Sequence, residues 1–469
     1  MDLLINFKLF SIKRTISISR QWIQFAIVTA AILATTIVSY WGTPSVYLLS
    51  ILLVAGIVAA LTLLRQPNLG FILIFIGGMF VSITGPSGLS AATVMVALML
   101  GLWILDMFVV RKQIALVRTS VMVPIITFLV ITVLAFLIGQ VPWFVFARQA
   151  PITAQVGGFA VFLFSIGGLL LSAHLIKDVR WLKILTWTFL ALSALYMIGR
   201  AANLLFIVNL YQFGFSAQSM FWTWLTALTA GQLIFNTTLK RWSRLLLFLL
   251  LALTLYVTLV QGFDWKSGWV PPVVALAVLL GIRNRNFIIF ATPLVVMAVL
   301  YAIVKLIASD DYSWVTRLDA WRIVLEISRV SPLFGMGFAN YYWYTPLFPI
   351  RGWRVSFNSH SQFVDLIAQT GYLGLFSFLW LFLAFARLSW SIAGKVPNGF
   401  ARGYSYGVLA GIVATMVAAF LGDWVLPFVY NVGLPGFRAS ILPWIFIGGV
   451  ISLEQMLFSS TTTPGNKFL

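Results

Sequence analysis

Apolar runs about one bilayer thickness long, separated by short polar or basic connectors, make up most of this chain. A hydrocarbon core of about 30 Å needs roughly 20 apolar residues per crossing helix. Windows of that kind fall near residues 22–42, 44–64, 69–84, 90–110, 119–139, 153–175, 181–208, 218–237, 243–262, 267–282, 286–308, 361–386, 400–421 and 439–458. The pattern predicts an all-α, polytopic bundle of about 12–14 spans, forming one membrane domain over residues 1–469. The windows at 69–84 and 267–282 are short, and GDWVLPFVYNVGLPGFRAS before the last one reads as a segment that can dip into a membrane without crossing it.

One connection breaks the pattern. Residues 309–360 are hydrophilic over about fifty positions, and long loops of this kind are usually functional or disordered. Within DYSWVTRLDAWRIVLEISRVSP, Trp314, Leu318, Trp321, Leu325 and Ser328 recur at three-to-four spacing while Arg322, Glu326 and Arg329 fall elsewhere, which predicts an amphipathic helix stopped by Pro332. A flexible FGMGF is expected next, then the aromatic NYYWYTPLFPIRGWR.

Composition agrees with a membrane chain: 61% of the 469 residues are hydrophobic and 9% charged, where soluble domains carry about a quarter. The apolar run after the basic N-terminal stretch is membrane-length with no small-residue cleavage site, so it reads as a retained anchor. With no cysteine, there is neither a disulfide framework nor a thiolate metal site. A net charge of +19 would point a soluble protein toward nucleic acid; here the distribution argues against that and for a membrane topology. About two thirds of the 30 Lys and Arg, among them Lys13, Arg14, Arg111, Arg180, Arg241, Arg387 and Lys395, fall in every second connection. That bias predicts a membrane protein with both termini cytoplasmic.

The exceptions are Arg148, Arg200, Lys266, Lys305, Arg317, Arg322, Arg329, Arg351, Arg354 and Arg438, most of them in or beside 309–360 on the expected extracytoplasmic side. Cations placed against the insertion bias point to an anionic partner. Arg322, Glu326 and Arg329 fit a solvated, salt-bridged helix face. Arg317 lies next to the apolar stripe, where a charge either snorkels or meets a partner. Arg351 and Arg354 fit a phosphate or lipid headgroups equally. Lys266, at the start of a span, is a snorkelling lysine or a phosphate ligand acting with a helix N-terminus. The run Tyr341 to Tyr344 fits an interfacial belt or sugar stacking.

His174, beside basic residues at a span end, reads as structural. His360 stands just before a helix starting near Ser361, with Asn358, Ser359 and Ser361 all able to cap it. Helix N-terminal charge and nearby arginines disfavour imidazolium, so a neutral His360 can accept a proton at an anion site, as a general base or as the acceptor that orients a nucleophile. The alternative is an interfacial capping histidine. Asp365, on the same helix, is placed to orient polar partners. No spacing for a metal site is present, and none is expected.

WKSGW (from Lys266), RLDAW (Arg317, Trp321), PLFGMG (Pro332, Gly335, Gly337) and HSQFVDLIAQTGYLGL (His360, Gly371, Gly374), in that order within 262–376, resemble the signature of the O-antigen ligase and O-antigen polymerase superfamily, GT-C class polytopic glycosyltransferases. Lys266 stands where that family has arginine, and Ser361 where it has asparagine after the histidine. The resemblance implies a metal-independent, cofactor-free inverting transfer of a glycan from undecaprenyl diphosphate to an acceptor hydroxyl of a glycan, lipid or protein at the outer membrane face. In that reading Arg317 and His360 are catalytic, Lys266, Arg317, Arg351 and Arg354 bind diphosphate, and Trp321, Tyr341 and Trp343 contact glycan. A flippase-like lipid or polysaccharide transporter is the alternative. Against it, no internal repeat is visible and few charges lie deep in a span.

Overall fold

The computed structural model describes residues 29, 56, 58–81, 88–113, 116–284, 286–287 and 312–462. Contacts divide the chain into residues 1–65, of which 58–65 are helical, and residues 66–469. Among the described residues the regular structure is helical, with an isolated antiparallel bridge between Ile350 and Trp353.

In the second unit, apart from the single-turn helices Leu205–Val208 and Phe213–Ser216 and the short 3₁₀ and π segments, the helices, in order, are α1 (Asn68–Phe80), α2 (Ala91–Leu105), α3 (Met122–Ile138), α4 (Ile152–Leu175), α5 (Val179–Ala201), α6 (Ser219–Phe235) and α7 (Arg241–Tyr256). They are followed by α8 (Lys266–Arg283), α9 (Tyr312–Ile327), α10 (Asn340–Tyr344), α11 (Gln362–Lys395), α12 (Phe400–Leu421) and α13 (Phe437–Thr462). Eight helical stretches among the described residues are long and apolar enough to cross a membrane. The chain is therefore a multi-pass helical membrane protein. Of the other windows, most of 22–42, 44–64 and 286–308 lies outside the described residues, while α1, α3 and α6 are helices of 13, 17 and 17 residues.

The centre is built from α6, buried from Ser219 to Gln232 and packed on α12, α8 and α7. Its sequence explains the position. A Cβ on Gly231 would sit 2.6 Å from the Gly407 Cα, and Gly403, Gly407 and Gly411 repeat every four residues along α12, so the two backbones meet closely, as small-residue helix pairs do in membranes. Hydroxyls on this helix need no outside partner when they return to their own turn, as Thr223 does to the Ser219 carbonyl at 2.8 Å. Conversely, Val123, Ile126, Val130 and Leu137 of α3 and Leu246 and Phe248 of α7 are exposed, which suits a lipid solvent.

Candidate functional site

α11 is not one helix. Gly371 breaks it with φ 70° and ψ −174°, a conformation that side-chain-bearing residues avoid. The freed backbone groups pair with the PLFGMG loop: Met336 and Gly337 N–H donate to the Ala368 and Gln369 carbonyls at 2.9 and 3.0 Å, and Tyr372 and Leu373 N–H donate to those of Pro332 and Leu333 at 2.8 and 3.2 Å. Gly335 and Gly337 both have positive φ, and Gly337 abuts Gly139 of the α3 end. FGMGF, expected to be flexible, is thus locked, because its glycines are what let two backbones satisfy each other.

This joint fixes the loop around the break. α9 forms as the periodicity predicts but turns Ala320, Val324, Ile327 and Ser328 inward and leaves Leu318 exposed, because its small and branched row faces α10 and α11. Arg322, Glu326 and Arg329 are exposed; no ion pair joins them among the described residues, so the face is solvated rather than salt-bridged. Trp321 Nε1 donates to the Ser359 carbonyl at 2.6 Å, and its ring meets Phe420 edge-on at 5.4 Å. One turn earlier on the same face, Arg317 lies over the Trp314 ring at 5.6 Å and its charge acts on His360. The R-x-x-x-W spacing has a mechanical meaning: Trp321 anchors the helix to the residue before the histidine, and Arg317 comes with it.

His360 itself sits at φ 50°, a left-handed conformation uncommon outside glycine, though histidine is among the side-chain-bearing residues found there more often. It is exposed at the surface, yet partial desolvation, helped by Arg317, holds its pKa below the usual histidine value. Burial rather than the helix N-terminus is the leading cause, and none of Asn358, Ser359 or Ser361 makes a side-chain cap to α11. With only two histidines in the chain, imidazole NMR reads this directly. The His360 ring is expected to titrate below the ordinary value in the parent, and higher in Arg317→Gln; an unmoved titration would separate the two groups.

Behind His360 lies a buried acidic wall made of Asp365, expected to orient polar partners, and Asp423, to which the sequence assigned no role. Asp365 Oδ1 accepts from the Tyr341 hydroxyl at 2.5 Å and from Ser359 Oγ at 2.8 Å. Asp423 Oδ2 accepts from Phe428 N–H at 2.8 Å, and its Oδ1 meets the Asn431 side-chain amide at 2.5 Å, which in turn lies 3.3 Å from His360 Nδ1. Asp365 and Asp423 interact electrostatically, and both are enclosed. Burial pushes the Asp423 carboxyl above the usual carboxylate range, against the pull of its amide donors. Tyr341 is raised well above its usual value, by burial first and by Asp365 next, so it stays a proton donor.

The remaining candidates are dispersed around this centre. Tyr341, expected on a glycan-contacting surface, is fully buried and stacked on Phe428 at 4.8 Å; its role is to hold Asp365. Trp343 is half-buried and donates to the Tyr430 hydroxyl at 2.8 Å, and Trp321 is half-buried as described. Arg351 pairs with Asp319 at 2.9 Å, and Arg354 is exposed near the Pro346 carbonyl at 3.5 Å. Lys266 donates to the Phe263 carbonyl at 3.0 Å with its ammonium 4.1 Å over the Phe263 ring. It lies at the His360 end of the bundle, since neighbouring Trp265 meets Trp424 edge-on at 5.9 Å, next to Asp423. Beside it opens a cleft of about 460 Å³ with Tyr196, Arg200, Asn209, Tyr211 and Trp222 in its wall. His174 is structural: Nε2 accepts from Val117 N–H at 2.8 Å, which leaves Nδ1–H to donate to the Leu170 carbonyl at 2.8 Å.

No protein-family model and no curated protein sequence matches the chain.

Proposed function

We propose that this chain is a glycosyltransferase that moves a glycan from undecaprenyl diphosphate to an acceptor hydroxyl at the outer face of the cytoplasmic membrane, in the manner of the O-antigen ligases and polymerases its signature resembles. The observation that carries the reading is that the charge of Arg317 acts on His360, 43 positions apart in sequence, at one end of a membrane bundle. A guanidinium beside an imidazole held neutral suits two demands of this reaction at once. As the bond from the anomeric carbon to the diphosphate oxygen breaks, the electron pair leaves with the diphosphate and Arg317 stabilises the growing charge. As the acceptor oxygen attacks the opposite face, its proton passes to His360. A single displacement inverts the anomeric centre.

Lys266 and the aromatic cleft beside it supply a second cation and ring faces at the same end of the bundle, consistent with a charged lipid carrying sugars. Arg351, already paired with Asp319, is the weaker diphosphate ligand of the set.

The test is purified full chain in detergent or nanodiscs, given an undecaprenyl-diphosphate glycan and candidate acceptors, with glycosidic product followed by mass spectrometry. Product formation that needs the diphosphate donor is the expected result. Movement of the lipid-linked glycan across vesicle membranes without product would overturn the reading in favour of a transporter.

A further inference from the structure

We propose that Asn431 is a positioning residue that decides which ring nitrogen of His360 carries the proton, and that it does so according to whether Asp423 is itself protonated. The proposal rests on the function just described only for the use made of the ring; its geometry stands apart from it.

One amide end touches two groups. The same Asn431 side-chain atom faces Asp423 Oδ1 at 2.5 Å and His360 Nδ1 at 3.3 Å. An asparagine amide has a donor end and an acceptor end of nearly equal size, so it can present either by turning over, but it presents the same one to both neighbours. With nitrogen inward, as recorded, Asp423 Oδ1 and His360 Nδ1 are both acceptors. A neutral imidazole then carries its hydrogen on Nε2, and the nitrogen left for a substrate is a donor. With oxygen inward, Asp423 Oδ1 must carry a proton, His360 Nδ1–H donates, and Nε2 presents a lone pair. Only this second state lets His360 take a proton from a hydroxyl at Nε2. In that step the hydroxyl O–H bond breaks, Nε2–H forms, and the charged ring keeps its Nδ1–H on the Asn431 oxygen.

The surroundings make the proton on Asp423 available. Asp423 Oδ2 is committed to Phe428 N–H, so a proton goes to Oδ1, the oxygen that meets Asn431. The carboxylate facing it, Asp365 on α11, has Tyr341 from α10 and Ser359 as donors. Arg317, on α9, is the cation that acts on His360, and no ion pair neutralises either buried carboxylate among the described residues. Two enclosed acids without a counter-ion favour holding one proton between them, and the burial that raises Asp423 acts in the same direction.

Selective ¹⁵N labelling of histidine in the purified full chain tests this without any assay of transfer. His174, held as the Nδ1–H tautomer by Val117 and Leu170, is an internal reference and a check that each variant is folded. In the parent, His360 is expected to change from the Nδ1–H to the Nε2–H pattern as pH rises through the Asp423 titration, while neutral His174 keeps its Nδ1–H tautomer. Asp423→Asn, whose amide donates permanently toward Asn431, is expected to hold His360 in the Nδ1–H form across the same range. Asn431→Leu is expected to abolish the pH dependence of the tautomer. A tautomer that still follows pH in Asn431→Leu, or an Nε2–H ring in Asp423→Asn, would overturn the proposal. Loss of glycan transfer with these tautomer patterns intact would count against the proposed function instead.

Discussion

Alanine at His360 is expected to lower glycan transfer about 10²–10⁴-fold, the usual worth of a positioned general base, with Arg317→Ala costing roughly 10²–10³ through lost charge stabilisation on the leaving diphosphate. The two losses are expected to combine less than multiplicatively, because Arg317 also helps keep the ring neutral. A fold defect is separable from a chemical one at this position. His360 holds φ 50°, where asparagine is more at ease, so His360→Asn removes the imidazole and leaves the backbone no more strained. That variant is expected to melt at or above the parent temperature and to transfer no faster than His360→Ala. The pH profile supplies a sign. A base is active when unprotonated, so the rate rises with pH through the His360 pKa, and a pKa held below the ordinary value moves that acid limb downward. Arg317→Lys keeps a charge but loses the planar fork; it should retain part of the rate with the acid limb close to the parent's. Full turnover in both His360→Ala and Arg317→Ala would remove the assignment of the site.

How much of this was legible in the sequence depends on how far apart the cooperating residues lie. The spans were legible because hydropathy is local: the windows at 153–175 and 400–421 match α4 and α12 within a residue or two. The R-x-x-x-W of α9 and the histidine before α11 could be paired because Arg317 stands against the insertion bias and the resembled signature holds both motifs. Asp423 and Asn431 left no such trace. They sit in a turn more than sixty residues beyond His360, within a segment whose Gly and Pro content spoke only of irregular backbone, and a buried carboxylate is told from an exposed one by its neighbours, not its neighbours in sequence. Tyr341 was misplaced for the related reason that a tyrosine in an aromatic run looks alike on a belt, against a sugar or inside a wall; the deciding contact, Asp365, is 24 positions away. Arg351 and Asp319 likewise find each other across 32 positions, taking from the expected cation patch a charge that composition alone had counted as open.

The joint that organises the site is also its most fragile point. Gly371→Ala is expected to destabilise the protein on the order of 4 kcal/mol, from about 1–3 kcal/mol of backbone strain and a comparable overpacking term. The strain arises because φ 70° with ψ −174° lies in a region essentially reserved for glycine. The overpacking arises because a methyl there would lie 2.2 Å from the Leu333 carbonyl carbon and oxygen, and backbone cannot swing aside as a side-chain tip can. Any retreat of the PLFGMG loop breaks the four backbone hydrogen bonds it exchanges with α11, leaving buried donors and acceptors unpaired. Gly352 and Gly394 separate the causes. Gly352 has φ 85° with open space around it, so Gly352→Ala should cost only about 1 kcal/mol of strain. Gly394 lies in the last turn of α11 with nothing within 4 Å, so Gly394→Ala should gain about 0.5–1 kcal/mol. Thermal unfolding of the three variants in one detergent ranks them, and a Gly371→Ala protein as stable as the parent would mean that the break in α11 is not held by this contact. Because Trp321, Ser359 and His360 all hang from the loop that the joint fixes, the same variant is expected to lose the Arg317-dependent depression of the His360 titration even below its melting temperature.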